Sequence, residues 1–368
     1  MSREGELMLA HGFTFRLPKK ILLEEGAHDL PMAKSILSRA PHIPVERFPE
    51  KGNPPSKRGL WILRRHLGRW VRPCPGTRGH ICCGYWVINH ALGCPFSCHY
   101  CIIPYYYGAK GITIFLNVED ALREIAASVS GPGEVMRFGT GEWTDSLALE
   151  PLLQVSAGYI RFFSQQKNAV LELKTKSTYI EGLLELEHSG RTVISWSINP
   201  QQLVDILEPS APSLEERLGA AGACQRRGYP IGLHLDPIIW HKGWRENYRS
   251  LIEQIARNLD PEGIIWISLG ALRYPPELHE RLLHSRVATA ELIPSPDGKR
   301  RYLRPLRVEL FGEIRLMISR VLGDLFVYLC MESPSVWDEA MGWTPRDSNE
   351  LAQRFHERIT RYWSENRL

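Results

Sequence analysis

From residue 85 onward the chain alternates short β-rich runs with amphipathic helical stretches, and this rhythm restricts the fold more than any single motif. Strands are predicted over residues 85–88, 134–138, 170–173, 193–196, 231–235 and 264–267. Helices are predicted between them over 118–128, 149–164, 179–187, 213–227 and 248–258. Six strand-then-helix repeats call for a parallel sheet, because parallel neighbours need a crossover connection. With right-handed crossovers, six repeats curl into an open partial barrel rather than the closed eight-stranded form. Ligands of such sheets gather at the carboxyl ends of the strands.

The residues after each predicted strand are polar. The first strand runs into a cysteine-bearing loop, the second into Gly139, Thr140, Gly141, Glu142, Trp143, Thr144 and Asp145, and the third into Lys174, Thr175, Lys176 and Ser177. Ser197, Ile198 and Asn199 follow the fourth, Asp236 and Pro237 the fifth, and Ser268, Leu269 and Gly270 the sixth, with Arg273 and Tyr274 beyond. Polar groups at the same end of six successive strands describe one concave site facing the cysteine loop.

That loop reads Gly93-Cys94-Pro95-Phe96-Ser97-Cys98-His99-Tyr100-Cys101. Three thiols spaced Cys-x3-Cys-x2-Cys suit three irons of a 4Fe-4S cube, leaving the fourth iron open to a small chelating molecule. The competing reading is three-quarters of a zinc site completed by His99 or a distant cysteine; no second Cys/His knuckle stands at suitable spacing. Cys74, Cys82 and Cys83 form a second thiol group, which Cys224 or Cys330 could complete as an auxiliary metal site, of which one thiol could serve as a hydrogen donor, or which supplies only structural or idle thiols. Neighbouring Cys82 and Cys83 on an extended strand would point to opposite faces, which disfavours a shared cluster.

A chain of 368 residues suits one large α/β domain with an appendage. The expected division is an N-terminal βαβ unit with a basic linker over 1–80, a core over 81–275 and a C-terminal extension over 276–368. No run is apolar enough to span a bilayer and the N-terminus lacks a signal-peptide core, so a cytoplasmic protein without membrane contact is expected. Eight cysteines there read as metal ligands rather than a disulfide framework. The net charge of +4 is mild, so nucleic-acid arguments rest on local charge. Lys57, Arg58, Arg64, Arg65, Arg69 and Arg72 interleave with Trp61 and Trp70, which suits phosphate contacts with base stacking, or equally a solvated face with two packing tryptophans.

The cysteine loop resembles that of the radical S-adenosylmethionine (SAM) superfamily. A closer resemblance is carried by that loop together with Thr175-Lys176, Ser197-Ile198-Asn199, Pro237-Ile238, Gly243-Trp244 and the run Val327 to Ser333 with Val336-Trp337; together these look like the spore photoproduct lyase-like family. The resemblance implies an α/β fold, a radical SAM (β/α)6 partial barrel with a small N-terminal α/β unit. It also implies a 4Fe-4S cluster on Cys94, Cys98 and Cys101, SAM as cofactor, and reductive cleavage of SAM to a 5′-deoxyadenosyl radical. Around SAM it suggests Tyr100, Gly139, Gly141, Glu142, Ser197 and Asp236, with Lys174 or Lys176 for the carboxylate; alternation puts both lysines on one side, leaving the choice open.

Such lyases repair a crosslinked thymine dimer in DNA, with a cysteine thiol returning hydrogen to the product. This chain departs from that pattern: no thiol stands in the run after the second strand, and Ile102 replaces a tyrosine after the third cluster cysteine. Cys330 is the candidate replacement donor, and Tyr106, within the run Tyr105 to Tyr107, a candidate relay. Lys299, Arg300, Arg301 and Arg304, on a basic turn also bearing Arg307, match the lyase's basic hairpin and point to DNA or another nucleic acid. A monomer served by an electron donor such as flavodoxin or ferredoxin is the expected assembly. The alternatives are a radical SAM enzyme of a small metabolite or peptide, and a non-enzymatic zinc or iron–sulfur nucleic-acid-binding module.

Overall fold

The computed structural model describes residues 6–8, 14–55, 57–77, 79–107, 111–129, 133–284 and 292–366, so the N-terminal residues 1–5 lie outside the described residues. All six expected strands form, as Trp86–Ile88, Met136–Gly139, Ala169–Thr175, Thr192–Ser197, Ile231–Ile238 and Ile264–Ala271. They pair in parallel with their neighbours in chain order. Two further strands extend this sheet to eight: Val327–Leu329 adds in parallel to the sixth, and Val71–Pro73 adds antiparallel to the first. Neither is marked in the sequence as part of the sheet, since three residues carry no periodicity of their own.

The long helix expected over 149–164 is two helices, Glu150–Leu153 and Ser156–Ser164, broken where Gln154 takes a left-handed conformation with φ of 47°. The Glu150 carboxylate explains the break, since it accepts from the backbone N–H of Val155 and Ser156 and so caps the second helix. No helix forms over 179–187; that segment is a series of turns that buries Ile180 and Leu183. Ser177 Oγ accepts from Tyr179 N–H at its start, a local bond that competes with helix initiation. Val118–Ser128, Leu214–Arg226 and Trp244–Asn258 form as helices, the second opened by a reciprocal Ser213–Glu216 capping box.

A second, five-stranded sheet orders Val45–Phe48, Lys20–Glu24, Leu60–Arg64, Ile112–Phe115 and Ala91–Leu92. Its last two strands come from beyond residue 80, while Val71–Pro73 from before it lies in the large sheet, so hydrogen-bonded strands cross that expected boundary. Trp61 and Trp70 are buried in the core, 3% and 2% exposed. They pack, and offer no face for a base.

The large sheet is unusual in its side-chain alternation. Phe138, Leu171, Leu173, Ile194, Trp196, Leu233, Leu235, Ile267 and Leu269 belong to the buried apolar core. The residues between them, on the opposite face, are largely polar: Arg137, Glu172, Lys174, Ser195, His234, Asp236 and Ser268. This polar inner face is linked internally. Glu172 Oε1 accepts from Ser195 Oγ at 2.7 Å and meets His234 Nε2 at 2.8 Å. The Arg137 guanidinium lies 3.5 Å from the ring centroid of Phe355, which the C-terminal helix Ser348–Glu365 lays against the sheet beside Trp266 and Tyr328.

Burial alone would raise the Glu172 carboxyl, but the hydrogen bond and charge of His234, with Arg137 and Ser195, hold it down to about 2. Its folded value lies below the free value of 4.5, so the stability it contributes is present above about pH 4.5 and is lost as pH falls through about 2. Urea-denaturation midpoints of the protein should therefore drop across this window, and Glu172→Gln should remove that part of the acid sensitivity. An acid profile identical in the two proteins would contradict the network.

Candidate active site

A cavity of about 560 Å³ opens at the carboxyl ends of the parallel strands and extends to Val135 and Met136 at the start of the second strand and to Ser348, Asn349 and Ala352 near the C-terminus. From the cysteine loop it takes Tyr100 and Cys101, from the second and third strand ends Glu142 and Lys174, from the fifth Asp236, and from the new parallel strand Cys330. Cys330 arrives because Val327–Leu329 runs parallel to its neighbour, which carries the residue after it to the same mouth; Cys330 N–H continues the ladder to Leu269 O at 2.8 Å. All eight cysteines are free of disulfides.

The cysteine loop is fixed to the strand-end loops by backbone bonds. Gly93 N–H donates to Trp143 O, His99 N–H to Leu207 O, and Ser97 N–H to Ser210 Oγ. Tyr100 is clamped from below: its hydroxyl donates to Glu208, whose carboxylate also meets Arg217 at 2.5 Å and Asn199 Nδ2 at 3.2 Å. Arg217 and Glu208 are almost wholly buried, so this pair has no water to fall back on. A second carboxylate, Asp145, ties the loops after the second and third strands. It accepts from Leu147 and Ala148 N–H, from Thr175 Oγ1 at 2.5 Å and from Lys176 N–H at 2.6 Å. Glu208 and Arg217 were not identified from sequence; they sit on and beside unremarkable helical runs, and only tertiary burial marks them.

Of the residues expected around SAM, Glu142 and Lys174 both line the cavity and pair with each other at 3.7 Å. Burial would lower the Lys174 ammonium, but Glu142, Glu172, Cys330 and Asp236 together raise it, so it stays charged. Lys176 packs elsewhere, with Nζ 5.7 Å from the Tyr100 ring centroid. Asp236 is held by Arg273 through two contacts of 3.2 Å. Ser197 is buried at the end of its strand and its carbonyl accepts from Arg217; it does not line the cavity.

Gly139 and Gly141 are not among the residues that line the cavity. A Cβ on Gly139 would stand 1.9 Å from the Tyr85 hydroxyl, and one on Gly141 2.8 Å from Lys174 Cβ. Neither position has room for a side chain. Tyr106 is half exposed, packs edge-on against Trp143 at 5.8 Å and is not on the cavity wall.

The basic turn also needs correction. It is a hairpin of Leu292–Pro294 and Arg300–Tyr302. Arg301 is 2% exposed and paired with Asp297 at 2.7 Å and Glu332 at 3.7 Å, so it is a framework cation unavailable to a phosphate. Arg304 pairs with Glu339, and Arg300 donates to Leu292 O. Lys299 points inward, lining the cavity with Nζ 3.4 Å from Thr77 Oγ1.

The donor set fits a 4Fe-4S cluster. Burial raises the Cys94 thiol and pushes Cys98 up to about 12, and the charges of neighbouring loop thiols act on both. Cys94, Cys98 and Cys101 are soft sulfur donors held on one short loop, the donor type an iron–sulfur cluster takes. Among the described residues no three His, Cys, Asp or Glu side chains converge as a single ion would need. Cys74, Cys82 and Cys83 likewise line the cavity beside Cys330 without forming a single-ion site.

Gly139→Ala should destabilise the protein by about 1–3 kcal/mol through overpacking against Tyr85, read as a lowered urea midpoint. A midpoint equal to that of the parent would contradict this close packing.

Comparison with known proteins agrees with this architecture. The family model described as spore photoproduct lyase matches residues 82–271. Spore photoproduct lyase of Bacillus subtilis (strain 168) is 31% identical over 172 residues, 46% of this chain and 50% of that protein. The enzyme of Geobacillus sp. (strain Y412MC61) is 28% identical over 177 residues, 48% of this chain and 52% of that one. The chain thus spans about half the length of these curated relatives. The solved structure of spore photoproduct lyase complexed with dinucleoside spore photoproduct shares the fold, with a TM-score of 0.73 at 22% identity, covering 85% of this chain and 99% of that one. A double mutant of spore photoproduct lyase with bound AdoMet and dinucleoside spore photoproduct gives 0.74 at 21% identity, again covering 85% of this chain and 99% of that one. With the matching model spanning the cysteine loop and all six parallel strands, the chain belongs to the spore photoproduct lyase family.

Proposed function

We propose that this protein is a radical SAM enzyme that takes a hydrogen atom from a nucleic-acid or nucleotide substrate and returns one from Cys330. The observation that carries the reading is the shared cavity, in which the cysteine loop, the Glu142–Lys174 pair and the Cys330 thiol face one space. When bound on Cys94, Cys98 and Cys101, the cluster would supply the electron that cleaves SAM to methionine and a 5′-deoxyadenosyl radical. Glu142 and Lys174 present opposite charges at the separation of an ion pair, which suits the ammonium and carboxylate of the methionine end. Tyr100, held by Glu208, keeps the loop rigid beside that site.

Cys330 suits hydrogen-atom return because it keeps its S–H bond. Burial raises its thiol well above the ordinary range, with Asp236 adding to the effect and Arg273 opposing it. A substrate-centred radical takes H from Cys330; the C–H bond forms, the S–H bond breaks, and a thiyl remains. One electron from the electron donor reduces that thiyl to thiolate, which takes a proton from solvent and so restores the S–H bond. The family's spore photoproduct substrate supports nucleic acid as the substrate class, and the displaced thiol argues for a product distinct from simple thymine-dimer reversal.

Anaerobic reconstitution followed by reduction tests the reading. The parent should form 5′-deoxyadenosine, and Cys98→Ala should form none and hold no iron or sulfide; 5′-deoxyadenosine from Cys98→Ala would refute the cluster assignment. Glu142→Gln and Lys174→Met should each raise KM for SAM about tenfold or more, the loss of a charged hydrogen bond worth about 1.5–3 kcal/mol. An unchanged KM would remove them from the SAM site. Cys330→Ala should continue to cleave SAM while losing solvent-derived deuterium from the product of a UV-irradiated oligonucleotide run in D2O. Undiminished label would exclude Cys330 as donor.

A further inference from the structure

On the other side of the cavity wall lies a second space. A pocket of about 340 Å³ is lined by His66, Arg72, Asn89, Tyr107 and Trp143 among others, and a neighbouring pocket of about 310 Å³ shares Leu92 and Tyr107 with it, so the two form one groove. The wall between groove and reaction cavity is a single layer of chain. Trp86, Cys74 and Glu142 face the cavity, while the residues that follow each of them, Val87, Pro75 and Trp143, face the groove; Pro73 borders both. The edge strand Val71–Pro73 forms the crest.

The groove carries polar groups without protein partners. Asn89 Oδ1 is buried and accepts no hydrogen bond. Arg72 is exposed, and among the described residues its guanidinium makes no hydrogen bond or ion pair. His66 donates from Nε2 to Arg69 O at 3.1 Å, which leaves Nδ1 as an acceptor. Tyr107 and Trp143 stand edge to face at 5.5 Å and 90°, giving two differently oriented aromatic walls. A free cation at the rim, aromatic walls and an unfilled acceptor below match a nucleotide's phosphate, base and exocyclic amine.

We propose that this groove binds the nucleotides flanking the reacting one, so that a single strand crosses the Val71–Pro73 crest with its reacting residue in the cavity. The inference rests on the nucleic-acid reading above and extends it from one nucleotide to a strand. The basic segment around Arg72 then contributes through its cations, with Tyr107 and Trp143 supplying the stacking that the buried Trp61 and Trp70 cannot.

The test compares a labelled dinucleotide with a labelled single-stranded hexanucleotide, by fluorescence anisotropy against reconstituted protein with SAM over a range of salt. The hexanucleotide should bind the parent more tightly than the dinucleotide. Arg72→Gln should lower the slope of log K against log salt by about 0.7 for the hexanucleotide, the loss of one phosphate contact on a single strand. Tyr107→Leu should weaken the hexanucleotide about 5- to 150-fold, as loss of one stacked base does, with far less change for the dinucleotide. Equal losses for both ligands, or none for either, would overturn the groove while leaving the cavity reading intact. A parent that binds neither ligand would overturn the nucleic-acid reading itself, and the groove with it. Thermal melting of both variants identifies a folding defect, and Arg72→Lys, which keeps the charge, should restore the salt slope.

Discussion

A sheet with a polar inner face is the constraint on which the rest of this molecule depends. Burying Arg137, Glu172 and His234 inside a barrel is costly unless every charge finds a partner. At the lower level of the lumen Glu172 meets His234 and Ser195, and Arg137 donates to Cys83 O and lies over the Phe355 ring, with its Nη1 left without a hydrogen bond among the described residues. Above them the same alternation continues as Lys174, Asp236 and Cys330, where the partners are fewer and the space is open. The reaction cavity is thus the upper end of a polar seam whose lower end is closed by the C-terminal helix.

The loops that complete the cavity are held by carboxylates acting as hubs. Asp145 joins the second and third strand ends with four hydrogen bonds. Glu208 joins the cysteine loop, through Tyr100, to Asn199 after the fourth strand and to Arg217 on the next helix. Such hubs suit a site that must hold a cluster and its ligand in fixed relation, because hydrogen-bonded buried charges move only at high cost. They leave the groove side, with its unpartnered Asn89 and Arg72, as the adaptable part of the surface.

Much of this was legible in the chain. The six parallel strands and their order followed from the strand–helix rhythm, and the cysteine loop followed from its spacing. The polar strand ends located the mouth. What escaped was set by tertiary context: Arg301 looks like a free cation in sequence but is neutralised by Asp297 and by Glu332, which is far along the chain. The sequence also does not show that a Cβ at Gly139 or Gly141 would run into Tyr85 or Lys174, because both partners are set by neighbouring strands. The 179–187 segment carries helical spacing, but a turn closed by Ser177 Oγ and Tyr179 N–H stands at its start and the segment continues as turns. Cys330 could be placed only once Val327–Leu329 was seen to join the sheet in parallel.

On the proposed reading, Cys94, Cys98 and Cys101 would hold a cluster beside the cavity, where Glu142 and Lys174 would take the methionine end of SAM. Electron–nuclear double resonance on the reduced, reconstituted protein with SAM labelled by 17O in its carboxylate and 15N in its amine addresses it directly. Hyperfine coupling of both labels to the cluster is the result this account predicts. A reduced cluster whose spectrum shows coupling to neither label would contradict it.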